Sequence, residues 1–192
     1  MKNQNETNEY LLVAYPDKNV LEKILAERAL FNETYKLRPK ALLKPHIVVT
    51  NFYASEGMET TLIRWLQRIC SLEQGFKLTL NNYSGYPTHT IFIRVQDAGP
   101  VQHFVSQLNT MKDFVQAGPG GFFRRPHVPV AAKLSTGVYE QALSDYSRKI
   151  FHESFDVHEL VLLKRNDSYE SLRTVQVLGL LPANNDLFNK VA

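Results

Sequence analysis

Two histidines stand in matching settings. Lys44-Pro45-His46 opens the apolar run Ile47-Val48-Val49, and Arg125-Pro126-His127 opens Val128-Pro129-Val130. In both, a basic residue and a proline precede a histidine that begins a strand-like stretch. Proline brings no N–H to a ladder and is tolerated at a strand's first position, so it marks where each strand starts. Two imidazoles facing one substrate suit the cleavage of a phosphodiester: one takes a proton from the nucleophile, and the other gives a proton to the leaving oxygen. An unperturbed pKa of about 6.5 allows one neutral and one protonated ring at neutral pH, and the protonated ring favours an anionic phosphate.

A histidine at a strand start, satisfied by local hydrogen bonds, is the ordinary structural account of either residue alone. The repetition argues for more, because the stretches after the two histidines also match. A helical pattern and the strand-like Phe76-Lys77-Leu78-Thr79-Leu80 come after the first; a helical pattern and Phe155-Asp156-Val157 come after the second. This is the mark of a divergent internal duplication. Metal binding is the weaker chemistry, since two histidines need further ligands and no nearby carboxylate or cysteine has the spacing.

The elements that must hold the histidines are legible in outline. The chain has 192 residues, 44% of them hydrophobic, and a net charge of +3. That is enough for one medium domain or two intimately packed lobes. The charge is too small to argue for nucleic acid by itself and is compatible with an anionic substrate. The single cysteine, Cys70, excludes an internal disulfide and falls on the apolar face of a helical pattern, as a buried structural residue would. Without an apolar leader or a stretch long enough to span a bilayer, a soluble, cytoplasmic protein with no membrane association is expected.

Residues 1–9 read as a polar tail and 10–15 as a central strand ended by Pro16-Asp17. An amphipathic helix spans 20–35, the first histidine strand 46–53, and a second helix carries Met58, Leu62, Leu66 and Cys70 inside with Arg64 and Arg68 on its solvated side. Residues 76–82 and 89–95 form a hairpin across Tyr83-Ser84-Gly85-Tyr86-Pro87-Thr88. Pro100 opens a third helix. Gly118-Pro119-Gly120-Gly121 reads as a linker, since it lacks a P-loop ending and precedes a strand. The second histidine strand runs over 127–133, and Ser135 or Thr136 caps a fourth helix. Strands at 157–164 and 172–180 flank a turn at Arg165-Asn166-Asp167-Ser168, and residues 183–192 form a C-terminal tail. The predicted unit is thus one domain over 10–182 with interleaved lobes.

Alternation along a strand puts His46, Val48 and Thr50 on one face, and His127, Pro129, Ala131 and Lys133 on another. If the halves are related by a pseudo-twofold axis, the equivalent strands sit side by side and both imidazoles enter one groove.

These histidine strands, their separation and the order of elements resemble the two-histidine phosphoesterase superfamily, in particular its bacterial 2'-5' RNA ligase-like branch with 2',3'-cyclic phosphodiesterase relatives. The resemblance covers about Tyr10 to Pro182. It implies an α+β fold, bilobal and duplicated about a pseudo-twofold axis, with two antiparallel sheets flanking a central groove and helices outside. It implies no metal or other cofactor, with His46 and His127 as the acid–base pair. The family motif is histidine, any residue, then threonine or serine. Here Val48 and Pro129 occupy the two hydroxyl positions. A hydrogen bond to a charged group is worth roughly 1.5–3 kcal/mol, so each missing hydroxyl corresponds to about a ten- to hundredfold loss of rate if it acts in the transition state. Thr50, Lys133, Tyr86 and His89 are the candidates to bind substrate in their stead.

The expected activity is opening of a 2',3'-cyclic phosphate or action on a 2'-5' linkage in a nucleotide or RNA end. The alternative is a catalytically weakened protein that binds such an end. A bare interaction domain has no positive feature in its favour. No basic, aromatic-interleaved stripe supports a long nucleic-acid footprint. The expected partner is therefore a small phosphorylated molecule or an RNA terminus, bound by a monomer.

Overall fold

The computed structural model describes residues 7–38, 43–118, 121–165 and 172–183. The strands form two antiparallel sheets. The first contains β1 (Thr7–Ala14), β2 (Ile47–Ser55), β5 (Gln116–Ala117), β8 (Glu159–Arg165) and β9 (Leu172–Gly179), in the order β5-β2-β1-β8-β9. The second contains β3 (Phe76–Tyr86), β4 (Thr90–Val95), β6 (His127–Ala131) and β7 (His152–Val157), in the order β6-β4-β3-β7. Setting β5 aside, β2-β1-β8-β9 corresponds to β6-β4-β3-β7 strand for strand, which is the expected pseudo-twofold duplication.

The chain order explains why neither half is detachable. Helix α1 (Lys18–Thr34) joins β1 to its antiparallel neighbour β2, and α3 (Gly99–Gln107) lies between β4 and its antiparallel neighbour β6. After β2, helix α2 (Glu59–Cys70) leads into β3, which pairs in the second sheet. After β6, helix α4 (Thr136–Tyr146) and β7 lead to β8, which returns to pair with β1. Each sheet therefore borrows a central strand from the other half.

The Tyr10–Ala14 run is apolar on both sides because β1 is covered on both. Tyr10, Leu12 and Ala14 join the large core shared by the two sheets. Leu11 and Val13 form a smaller cluster with Val161 and Leu163, edged by Tyr15, Val48 and Leu172. The Asp17 carboxylate caps α1 by accepting from the Val20 N–H at 2.9 Å, a bond worth about 1 kcal/mol. The inner face of α1 is Val20, Ile24, Arg28 and Phe31, so one of its four buried positions is an arginine.

Several boundaries differ from the expected ones, each for a tertiary reason. Strand β1 begins at Thr7, inside the expected tail, because Asn8 is buried and Glu9 pairs with Arg165 of β8. Tyr83 to Tyr86 belong to β3 and pair with β4, so the hairpin connection shortens to 87–89. The apolar stretch expected as one strand over 157–164 is two strands in different sheets, parted at His158. No glycine or proline marks that crossing. The histidine strands β2 and β6 lie in separate sheets and are not paired with each other; they face a common cavity instead. The expected turn at 166–168, most of the expected C-terminal tail, and Pro119 and Gly120 lie outside the described residues. Among the described residues, no helix is long and apolar enough to cross a membrane.

Candidate active site

The two histidine strands carry the same irregularity at the same place. In β2, Thr50 pairs with Leu12 and Val48 with Val13, so Val49 is an extra residue in the ladder. In β6, Ala131 pairs with Ile91 and Pro129 with Phe92, so Val130 is the extra residue. Both are β-bulges three residues beyond the histidine. A bulge resets the alternation of side chains. The wall of the cavity is accordingly His46, Val48 and Asn51 on one side and His127, Pro129 and Ala132 on the other. The spacing is the same in both, i, i+2, i+5.

This overturns the strict alternation expected from sequence. Thr50 is fully buried on the opposite face, and its hydroxyl donates to the Phe122 carbonyl at 2.6 Å. Asn51 takes its place at the cavity. Likewise Ala131 turns inward, while Ala132 and Lys133 line the cavity, Lys133 with a left-handed φ of 56°. Pro129 is accommodated because β6 is an edge strand, where a missing N–H costs no ladder bond.

The two imidazoles are held alike. Nδ1 of His46 donates to the Lys44 carbonyl at 2.8 Å, and Nδ1 of His127 donates to the Arg125 carbonyl at 3.0 Å. A carbonyl oxygen only accepts, so Nδ1 carries the proton in the neutral ring and the lone pair is on Nε2. In both cases the acceptor belongs to the residue before the proline, whose fixed geometry turns that carbonyl toward the ring. The Lys-Pro-His and Arg-Pro-His triplets are therefore a device for orienting imidazole.

The rings differ in what they touch. His46 meets the edge of Tyr15 at 6.0 Å between centroids, and Lys44 lies 4.3 Å over that tyrosine. His127 packs against a pair of touching aromatic rings, Tyr86 at 5.1 Å and Phe92 at 4.8 Å, which lie 4.7 Å from each other. Burial lowers the pKa of both histidines. For His46 the carbonyl bond opposes this, and Arg28 and Arg165 add to it; for His127 the Arg125 carbonyl opposes it and Arg124 adds to it. Burial thus favours the neutral form of both rings.

The cavity between the strands has a volume of about 520 Å³. Among the described residues, five cationic side chains line it, Arg28, Arg124, Arg125, Lys133 and Arg165, against one carboxylate, Glu9. Glu9 is already engaged: it accepts from Asn51 Nδ2 at 3.1 Å and from Arg165 Nε at 2.6 Å. Leu11, Leu43, Val48 and Leu172 supply an apolar part of the wall. The surplus of positive charge suits a phosphorylated ligand. A second cavity of about 530 Å³, near Leu72 and Phe104, holds the pair of exposed His103 and half-buried Glu73 and neither histidine strand. Among the described residues, no three or more histidine, cysteine, aspartate or glutamate side chains are grouped to hold a metal ion.

Of the residues singled out in the sequence, His46, His127, Val48, Pro129 and Lys133 meet at this cavity. Tyr86 braces the His127 ring without forming part of the cavity wall. His89 is exposed at the hairpin turn, where Nδ1 lies 2.6 Å from the Thr90 hydroxyl. Sequence reasoning missed Glu9, Asn51, Arg124 and Arg165, which distant elements bring in. It also passed over Arg28, although a charged residue on the apolar face of a helix was a visible signal. Arg125 was noted only as part of the repeated triplet.

A fold of this kind is also found among solved structures. The chain superposes on apo LigT of E. coli with a TM-score of 0.65 at 17% identity, covering 92% of this chain and 99% of that one. TT0787 of Thermus thermophilus gives 0.63 at 12% identity over 92% and 100%. Usb1 of Kluyveromyces marxianus gives 0.50 at 16% over 91% and 97%. E. coli LigT has also been solved with phosphate and with 3'-AMP. No curated protein matches. The model of the 2'-5' RNA ligase superfamily matches residues 20–168, and the chain belongs to that superfamily.

Proposed function

We propose that this protein is a phosphoesterase that opens a 2',3'-cyclic phosphate, or acts at a 2'-5' linkage, of a nucleotide or RNA end by two-histidine acid–base catalysis without a metal. The observation that carries this reading is the pair of identically oriented imidazoles on one cation-lined cavity. With Nδ1 committed to a backbone carbonyl, Nε2 of each ring is the nitrogen left for chemistry. In hydrolysis of the cyclic ester, one neutral imidazole takes a proton from water as the water oxygen bonds to phosphorus. The bond from phosphorus to one ribose oxygen breaks, and the second ring, as imidazolium, protonates that oxygen. The product is a ribose phosphomonoester, and the two rings have exchanged protonation states. Arginine and lysine at the wall stabilise the charge that builds on the phosphoryl oxygens.

The depressed pKa of both rings fits this cycle. An empty site holds neutral rings, ready to act as base. A bound phosphate anion restores proton affinity to its neighbour, making the acid when substrate is present. The experiment is incubation of the purified protein with 2',3'-cyclic nucleotides and 2'-5'-linked oligonucleotides, repeated with His46→Ala and His127→Ala. Ring opening that survives both changes removes these histidines from the mechanism.

Val48 and Pro129 support a second reading, a weakened descendant that binds a nucleotide or RNA end without turnover. Calorimetric titration separates the two: heat of binding with no product favours it.

A further inference from the structure

Arg28 is nearly buried, 8% exposed, on a helix face otherwise made of valine, isoleucine and phenylalanine. Its Nε and Nη2 donate to the Pro129 carbonyl at 3.0 and 2.8 Å, and its Nη1 donates to the Leu43 carbonyl at 2.7 Å. Pro129 stands two residues after His127, on the free edge of β6. Leu43 stands three residues before His46, next to the residue whose carbonyl orients that ring. One guanidinium therefore bridges the approach to one histidine and the strand of the other. Three of its five N–H groups are used in this way, and the side chain also lines the cavity.

We propose that Arg28 is a positioning residue: it ties the His46 entry to the His127 strand and so sets the separation of the two imidazoles. The strands lie in different sheets, so no ladder bond performs this task. A single side chain that grips the segment leading into β2 and β6 itself does, and only a planar fork with several fixed donors reaches two carbonyls at once. Lysine brings the charge without the fork. The same guanidinium is among the charges around His46, together with Arg165 of β8, Glu9 of β1, Lys44 beside the ring, and Arg124, Arg125, Lys133 and His127 across the cavity.

The test compares Arg28→Lys and Arg28→Met with the unaltered protein, with near-UV circular dichroism to confirm folding. The kinetic arm rests on the proposed function. There, both variants lower kcat on a 2',3'-cyclic nucleotide about ten- to a hundredfold, as expected for misplaced groups, with KM changed less than about threefold. Arg28→Lys at the unaltered kcat overturns the proposal. The second arm needs no turnover: inorganic phosphate is titrated while NMR follows the ring protons of His46 and His127. In the unaltered protein both rings respond with one affinity. In Arg28→Lys, which retains the charge and carries the test if the methionine variant does not fold, the two rings respond with different affinities. One shared, unchanged affinity overturns the proposal. If the unaltered protein opens no phosphodiester yet the rings uncouple in Arg28→Lys, the proposed function fails and the role of Arg28 stands.

Discussion

The two histidine strands are alike where the backbone acts and unlike where side chains act. Each has a proline-preceded histidine, an Nδ1 bond to the carbonyl two residues back, and a bulge three residues on. Beyond that frame they part. The His46 side presents Asn51, Glu9 and Arg165, a network of opposed charges, while Ala132 occupies the position equivalent to Asn51 beside His127. The His127 side presents Arg124, Arg125 and Lys133 and packs its ring against the touching pair Tyr86 and Phe92. What the halves share is therefore the orientation of imidazole; where they differ is in the chemistry offered to the rest of a ligand. The lesson is that duplication has kept the symmetry of the backbone and the two imidazoles and lost it in the side chains around them.

The severest way to break this comparison is to remove each ring in turn. His46→Ala and His127→Ala should each lower kcat by about 10²–10⁴, and the double variant should lose little more than the worse single one, because the rings act as a unit. Steady-state kinetics on a cyclic nucleotide measures this. A large disparity between the single variants would show that only one ring serves in the chemistry.

Restoring the motif hydroxyls probes the two positions where both halves depart from the family. Val48→Thr and Pro129→Thr should each raise kcat about tenfold or more if a hydroxyl can again hold a phosphoryl oxygen. No gain from either would show that the cationic wall has taken over that task.

The unlike walls are tested next. Lys133→Gln and Arg124→Gln should raise KM several-fold, on the order of 1 kcal/mol each, with kcat less affected. Raising the ionic strength should act in the same direction. Arg165→Gln removes a cation whose partner is Glu9, so KM and stability should change together; thermal unfolding in parallel with kinetics shows it.

The pH dependence is smaller. Both folded histidines have lowered pKa values, so unfolded chains bind more protons around pH 6.5. Their contribution to stability is present above that pH and falls away as the pH drops below it. Tm should decline between pH 7 and pH 5, less steeply in His46→Gln and His127→Gln. Phosphate should raise the titration midpoint of both rings. The smallest catalytic effect belongs to Thr50→Val. It leaves the Phe122 carbonyl without its donor and should cost about 1 kcal/mol of stability with kcat unchanged, since the bulge turns residue 50 away from the cavity.

The sequence by itself determined the repeated histidine strand and most of the helices and strands around it, and its resemblance to a known family implied the duplicated two-sheet fold and singled out positions 48 and 129. The first of these rest on local signals: residue type, the period of hydrophobicity, and proline at a strand start. Only the tertiary structure decided which residues join the histidines. The bulges at Val49 and Val130 exchange Thr50 for Asn51 and Ala131 for Ala132, and nothing in an unbroken apolar run announces them. The crossing at His158 and the early start of β1 depend on partners more than a hundred residues away. Arg28 shows the boundary between the two kinds of knowledge. Its place on an apolar helix face is written in the chain, but its purpose depends on two carbonyls that only folding brings within reach of one guanidinium.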